Sequence, residues 1–271
     1  MRRGQVVIER FESAVLEGNP AGDPNRRDIP VYLPPSYADA PDRRYPVVYV
    51  LTGFTSRGRM LLNDNPWSPS LDDRLDGLIG AGRMGEMIVV MPDGFTRYGG
   101  SQYMDSAATG RYGTHIAQEL VTHVDRRFRT LATREHRGVM GKSSGGFGAL
   151  SLAMRHPGVF GAAACHSGDM YFEYCYLPDI PRFVAEVMRA GGVEKWFQTF
   201  QGKIQKKHED LEVLNMLAMA AAYSPDPAEP LGIALPADPV TGRFREEVWK
   251  RWLEHDPLRM LERHADTLRA L

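Results

Sequence analysis

Cysteine is scarce in this chain, and neither sign of charge dominates. Cys165 and Cys175 are the only thiols. Two cysteines make no disulfide framework, so the fold must rest on a hydrophobic core, with one strand-end thiol and one loop thiol expected. Basic side chains number 33 and acidic ones 34, which leaves no electrostatic footprint for nucleic acid or an anionic membrane. No apolar run is long enough for a membrane span. No continuous apolar segment follows Arg2 and Arg3, so no signal peptide is expected and a cytoplasmic location is. No histidine–carboxylate cluster has metal-ligand spacing, and no dinucleotide-binding glycine fingerprint is present. No metal and no cofactor are expected.

What remains is patterned as alternating strands and helices. Pro46 to Leu51 and Met87 to Met91 are continuous apolar runs, the mark of strands buried on both faces of a parallel sheet. Between them Leu71, Leu75, Leu78 and Ile79 share a helical face behind a Ser70/Asp73 capping pair. A second helical stripe runs from Thr114 to Phe128, with His115 and His123 expected on its solvent face. Gln5 to Glu9 and Ser13 to Leu16 read as short strands, and proline-bounded Asp28 to Pro34 as an edge strand. Val159 to Cys165 reads as a further buried strand. This alternation predicts an α/β fold with a mostly parallel sheet flanked by helices. Residues 1–170 are expected to form its core. Residues 171–271 read as a helical insertion, with 223–242 as a long loop.

The chemistry concentrates at Gly141-Lys142-Ser143-Ser144-Gly145. A short strand from Arg137 precedes it, and a helix from Gly146 to Arg155 follows. A serine at a glycine-flanked strand-to-helix turn is the nucleophile elbow of an α/β-hydrolase. A Walker loop would need a glycine five residues before Gly141, where His136 stands. A glycine-rich helix start capped by serine is the structural alternative.

These residues, with Leu51-Thr52-Gly53-Phe54, Met91-Pro92-Asp93-Gly94 and Met104-Asp105-Ser106, resemble the putative-esterase family over roughly residues 30 to 170. That family includes esterase D (S-formylglutathione hydrolase), enterochelin-esterase-like proteins and the mycolyltransferases. The resemblance implies that Ser143 is the nucleophile, and that the backbone N–H groups of Phe54, after Gly53, and Ser144 form the oxyanion hole. It implies a small-molecule carboxylic ester as substrate. Trp67, Tyr103, Tyr171 and Phe172 are candidate pocket walls, on an equal footing with core aromatics.

In this fold the acid and then the histidine follow later strands. Past residue 170 the only short apolar run is Leu231 to Leu235, before helical patterns return. The last two strands, and with them the acid and base, are therefore expected to be absent, leaving the strand after the elbow as a raw edge for homo-oligomerisation. His166 and Asp169 lie at the carboxyl end of that strand and are candidate pocket residues. Three activities stay open: a weak or inactive serine carboxylesterase, a truncated non-catalytic protein that binds ligand or self-assembles, and an acyltransferase.

Overall fold

The continuous apolar runs become the middle of a six-stranded sheet. The computed structural model describes residues 2–271. Its strands are β1 (Gln5–Glu12), β2 (Arg26–Leu33), β3 (Val47–Leu51), β4 (Ile88–Val90), β7 (Arg137–Lys142) and β8 (Ala162–His166), in the order β1-β2-β4-β3-β7-β8. β5 (Asp105–Ser106) and β6 (Gly110–Arg111) form a separate two-stranded ribbon. The β4-β3-β7-β8 half is parallel, and β1 and β2 join it antiparallel. The fold is that of an α/β-hydrolase.

Three strand expectations change. The proline-bounded strand is not an edge, because β1 pairs along its whole length from Gln5↔Leu33 to Glu12↔Arg26. Pro30 is tolerated because the short β2–β4 ladder uses its carbonyl, which accepts from Met91 N–H at 2.9 Å. The strand after the elbow is shorter than its apolar run and is not buried. Ala162, Ala164 and His166 of β8 are exposed, since only β7 pairs with it. Ser13 to Leu16 turns instead of extending, and Leu231 to Leu235 is not a strand, although Ile233, Ala234 and Leu235 are buried.

Helices cover both faces. α1 (Leu71–Gly80) begins at Ser70, whose hydroxyl accepts from Asp73 N–H. α2 (Tyr112–Thr114) and α3 (Val121–Arg127) are joined by a wider π-type stretch, His115–Leu120. His115 is fully buried here, contrary to its expected solvent position, and His123 is half-buried. The reason is β1, whose Phe11 ring lies 5.6 Å from the His115 ring and 4.8 Å from that of His123.

After β8 and a short α5 (Phe172–Cys175) come α6 (Ile180–Ala190), α7 (Val193–Gly202), α8 (His208–Tyr223), α9 (Glu246–Leu253) and α10 (Pro257–Arg269). Asp256 caps α10 through Leu258 N–H at 3.0 Å. α5 to α9 share one apolar cluster with Tyr98, Met104 and Phe147 of the sheet-forming part. Both cysteines are unbridged. Burial pushes the Cys175 thiol up to about 12. No helix among the described residues is long and apolar enough to cross a membrane.

Phe147 joins the two parts. It is fully buried, 6.3 Å from the Phe172 ring and 5.7 Å from that of Tyr223. Phe147→Ala is expected to lower the urea midpoint by the equivalent of about 3–5 kcal/mol at unchanged slope. A loss below 1 kcal/mol, by the same bookkeeping, would show that the helices after β8 pack independently.

Candidate active site

The strand-to-helix turn is built by absence of side chains. A Cβ on Gly141 would sit 2.4 Å from the Gly145 carbonyl carbon, and one on Gly145 would sit 2.2 Å from the Leu51 carbonyl oxygen. Only glycine fits either place. Between β7 and α4 (Ser144–Arg155), Ser143 is forced to φ 56° and ψ −125°, a strained conformation for a residue with a side chain. Its N–H donates to the His166 carbonyl at 3.0 Å, which ties the turn to the end of β8. The Ser143 side chain is left half-buried at the carboxyl edge of the sheet.

The loop after β3 passes beside it. A Cβ on Gly53 would lie 3.5 Å from the Ser143 Cβ. Thr55 N–H donates to Gly99 and Ser56 N–H to Gly53. Between them, Phe54 N–H finds no backbone carbonyl among the described residues. Ser144 opens α4, so its N–H is one of the unpaired donors of a helix start. Two unused N–H groups therefore lie on the two segments that meet at Ser143, the arrangement that stabilises a developing oxyanion.

Tyr103 lines a cavity at the far end of α4 and not one beside Ser143. It is buried, its hydroxyl donates to the Thr52 carbonyl at 2.8 Å, and its ring fills the space where Gly148 has no Cβ. Burial pushes its phenol up to about 12, so it stays a donor at neutral pH. It is a strut between the loop after β3 and α4. Its neighbour Gln102, also buried, reaches the other way. Gln102 Nε2 lies 3.1 Å from Asp169 Oδ2 and 2.8 Å from the Tyr223 hydroxyl. Asp169 Oδ2 also accepts from Tyr176 at 3.1 Å and Ser144 Oγ at 3.5 Å. Burial raises the Asp169 carboxyl above its ordinary range, and these hydrogen bonds oppose the rise. Sequence inspection missed Gln102, Tyr176 and Tyr223. Gln102 and Tyr103 both take left-handed φ, 51° and 52°, and no residue type there announces it.

The other candidates disperse. Trp67 is 93% exposed and lines nothing. Phe172 is core. Tyr171 is half exposed and faces a cavity of about 580 Å³ shared with Lys250, Asp256 and Arg259, not the elbow. The His166 side chain is exposed, and its ring is hydrogen-bonded to neither Ser143 nor Asp169.

No histidine among the described residues is hydrogen-bonded to Ser143. His123 lies 3.1 Å from Glu9, and His115 lies 3.4 Å from Glu119. His156, His255 and His264 line a cavity of about 420 Å³ with Arg155, at the far end of α4. At about 1.5 Å per residue, that end is roughly 18 Å from Ser143. His255 accepts from Arg155 at 3.1 Å and stacks on Tyr223. Burial, helped by Arg155 and Arg263, pushes it down to about 4. Among the described residues no group of three metal-ligating side chains gathers.

Sheet order, elbow and unused N–H pair define an α/β-hydrolase. The profile of the family described as Putative esterase matches residues 24–270, and the chain belongs to that family. An esterase of Mycobacterium tuberculosis is 31% identical over 170 residues, 59% of this chain and 31% of that protein. An endo-1,4-beta-xylanase/feruloyl esterase of Xylanibacter ruminicola is 29% identical over 146 residues, 52% of this chain and 19% of that protein. The chain thus spans less than a third of these relatives. Among solved structures, a ferulic acid esterase is similar with TM-score 0.52 and 27% identity, covering 62% of this chain and 59% of its own. A fluorophosphonate-binding serine hydrolase of Staphylococcus aureus shares the fold, with TM-score 0.53 and 15% identity over 97% of this chain and 74% of its own.

The His255 environment predicts a pH dependence of stability. Its folded value, about 4, lies below its unfolded value of 6.5, so the unfolded chain takes the proton first as pH falls. Stability should decline from about pH 6.5 toward pH 4, by about 3 kcal/mol from this group. His255→Gln, which keeps an acceptor for Arg155, is expected to flatten that part of the curve in urea titrations. An unchanged slope would refute the assignment.

Proposed function

We propose that Ser143 is the nucleophile of a carboxylesterase. The observation that carries this is the strained elbow with the Phe54 and Ser144 N–H groups unused beside it. Ser143 Oγ attacks the ester carbonyl as its proton passes to an imidazole. The carbonyl oxygen becomes an oxyanion and accepts from the Phe54 and Ser144 N–H groups. Losing one such donor costs about 100- to 1,000-fold in rate. Collapse breaks the bond to the alcohol oxygen, which takes the proton from the imidazole. Water then cleaves the acyl-serine, releasing the acid and restoring Ser143.

The proposal places the imidazole and its orienting acid outside residues 2–271, on another segment or a partner chain. A serine without its base is a poor nucleophile. By itself the chain should retain only the catalysis of a triad-deleted hydrolase, about 10³–10⁴-fold over water. The test is hydrolysis of 4-nitrophenyl acetate by the chain and by Ser143→Ala, each with and without added imidazole. A Ser143-dependent rate that imidazole raises beyond its own solution reaction is expected. Equal rates for the two proteins under both conditions would sink the nucleophile assignment.

A second reading, self-assembly, is favoured by β8. Its outer edge is unpaired, and its sequence Ala-Ala-Ala-Cys-His carries no lysine or proline to guard it. Antiparallel pairing of two β8 edges would give a dimer at micromolar concentration, and Ala164→Pro would return it to monomer. A strictly monomeric wild type in sedimentation would end this reading.

A further inference from the structure

A cavity of about 440 Å³ opens beside the loop that carries the oxyanion donor. Arg57 and Arg59, three and five residues after Phe54, form one side. Phe95, just past β4, forms another, and Arg26 and Arg27, at the start of β2, a third. β2 runs antiparallel to β4, so its start lies at the same carboxyl edge as Ser143. β2 is three places from β7 in the sheet, which at about 4.8 Å per strand puts the cavity roughly 14 Å from the nucleophile.

Five arginines and three aspartates line this space, an excess of two positive charges in a chain whose net charge is −1. Asp28 is shared by Arg59 at 2.8 Å and Arg10 at 3.8 Å. Neither Arg26 nor Arg57 has a carboxylate within ion-pair distance among the described residues. The Arg57 guanidinium lies 4.3 Å over the Phe95 ring. Stacking of that kind orients the planar fork without consuming its donors.

Arg27 braces the wall that carries Phe95. It is only 4% exposed. One terminal nitrogen donates to the Phe95 carbonyl at 2.8 Å and lies 3.6 Å from Asp93, and the other donates to the Tyr112 hydroxyl at 2.5 Å. Its Nε–H has no partner, a costly state for a buried charged donor. Asp23 on the same wall also has an unpartnered oxygen, and burial raises its carboxyl toward the neutral form.

We propose that this cavity is an anion subsite that takes a carboxylate or phosphate group, with Arg57 as its principal ligand and Arg26, also without a carboxylate partner, as a second. Resting on the esterase reading, it would hold an anionic end of the ester some distance from the scissile carbonyl. The anion binds whether or not Ser143 is catalytic, so failure of either reading is separately visible.

The test is calorimetric titration of the 271-residue chain with inorganic phosphate at low salt. Saturable binding is expected, weakened about tenfold or more in Arg57→Met, and equal to wild type in Ser143→Ala and in Arg155→Met. The last variant controls for the histidine-lined cavity at the end of α4. Circular dichroism confirms that each variant is folded. Absence of saturable binding, full affinity in Arg57→Met, or loss in Arg155→Met instead would overturn the proposal.

Discussion

The distance between the elbow and β3 sets the site. Gly145 lies against the Leu51 carbonyl so closely that a methyl group would overlap it, and Gly141 lies as closely against Gly145. With those two contacts fixed, α4 must start at Ser144 and point its first N–H groups toward the loop leaving β3. Ser143 accepts a left-handed backbone because the surrounding strands leave it no other. The hydrogen bond from Ser143 N–H to the His166 carbonyl closes the arrangement on the β8 side.

Around that turn the protein distributes its polar groups unevenly. Gln102 and Tyr103 brace the two segments that meet at Ser143, one through Asp169 and Ser144, the other through Thr52. The histidines lie elsewhere. Three line a cavity at the opposite end of α4, two face carboxylates under β1, and His136, His166 and His208 are exposed. Oxyanion stabilisation needs only backbone geometry, which the elbow supplies. Deprotonation of Ser143 needs an imidazole in hydrogen-bonding reach, which none of these positions offers. The two requirements are physically separable, and the proposed nucleophile asks only the first of the described residues.

Much of the core was legible from pattern. The runs at Pro46 to Leu51 and Met87 to Met91 are apolar on both faces because parallel strands are covered on both faces, and Ser70 marks a helix start because a short oxygen-bearing side chain answers an orphan N–H. Pairing partners were less so. Asp28 to Pro34 looked like an edge because proline lacks a donor, yet β1 covers it through residues whose own pattern says nothing of their neighbour. His115 looked solvent-facing by helical spacing, but Phe11, more than a hundred residues earlier, lies over it.

The sequence by itself determined the strand-to-helix elbow, since glycine at Gly141 and Gly145 is a local steric demand that any reading of the chain can see. Only the tertiary structure decided what each surrounding side chain does. Tyr103 became a strut and Trp67 a solvated ring, and Asp169 turned from His166 toward Gln102 and Tyr176. The arginines near Arg27 and Arg57 became one cavity because β2 runs back beside β4, a juxtaposition made by sheet pairing and invisible in the spacing of those residues along the chain.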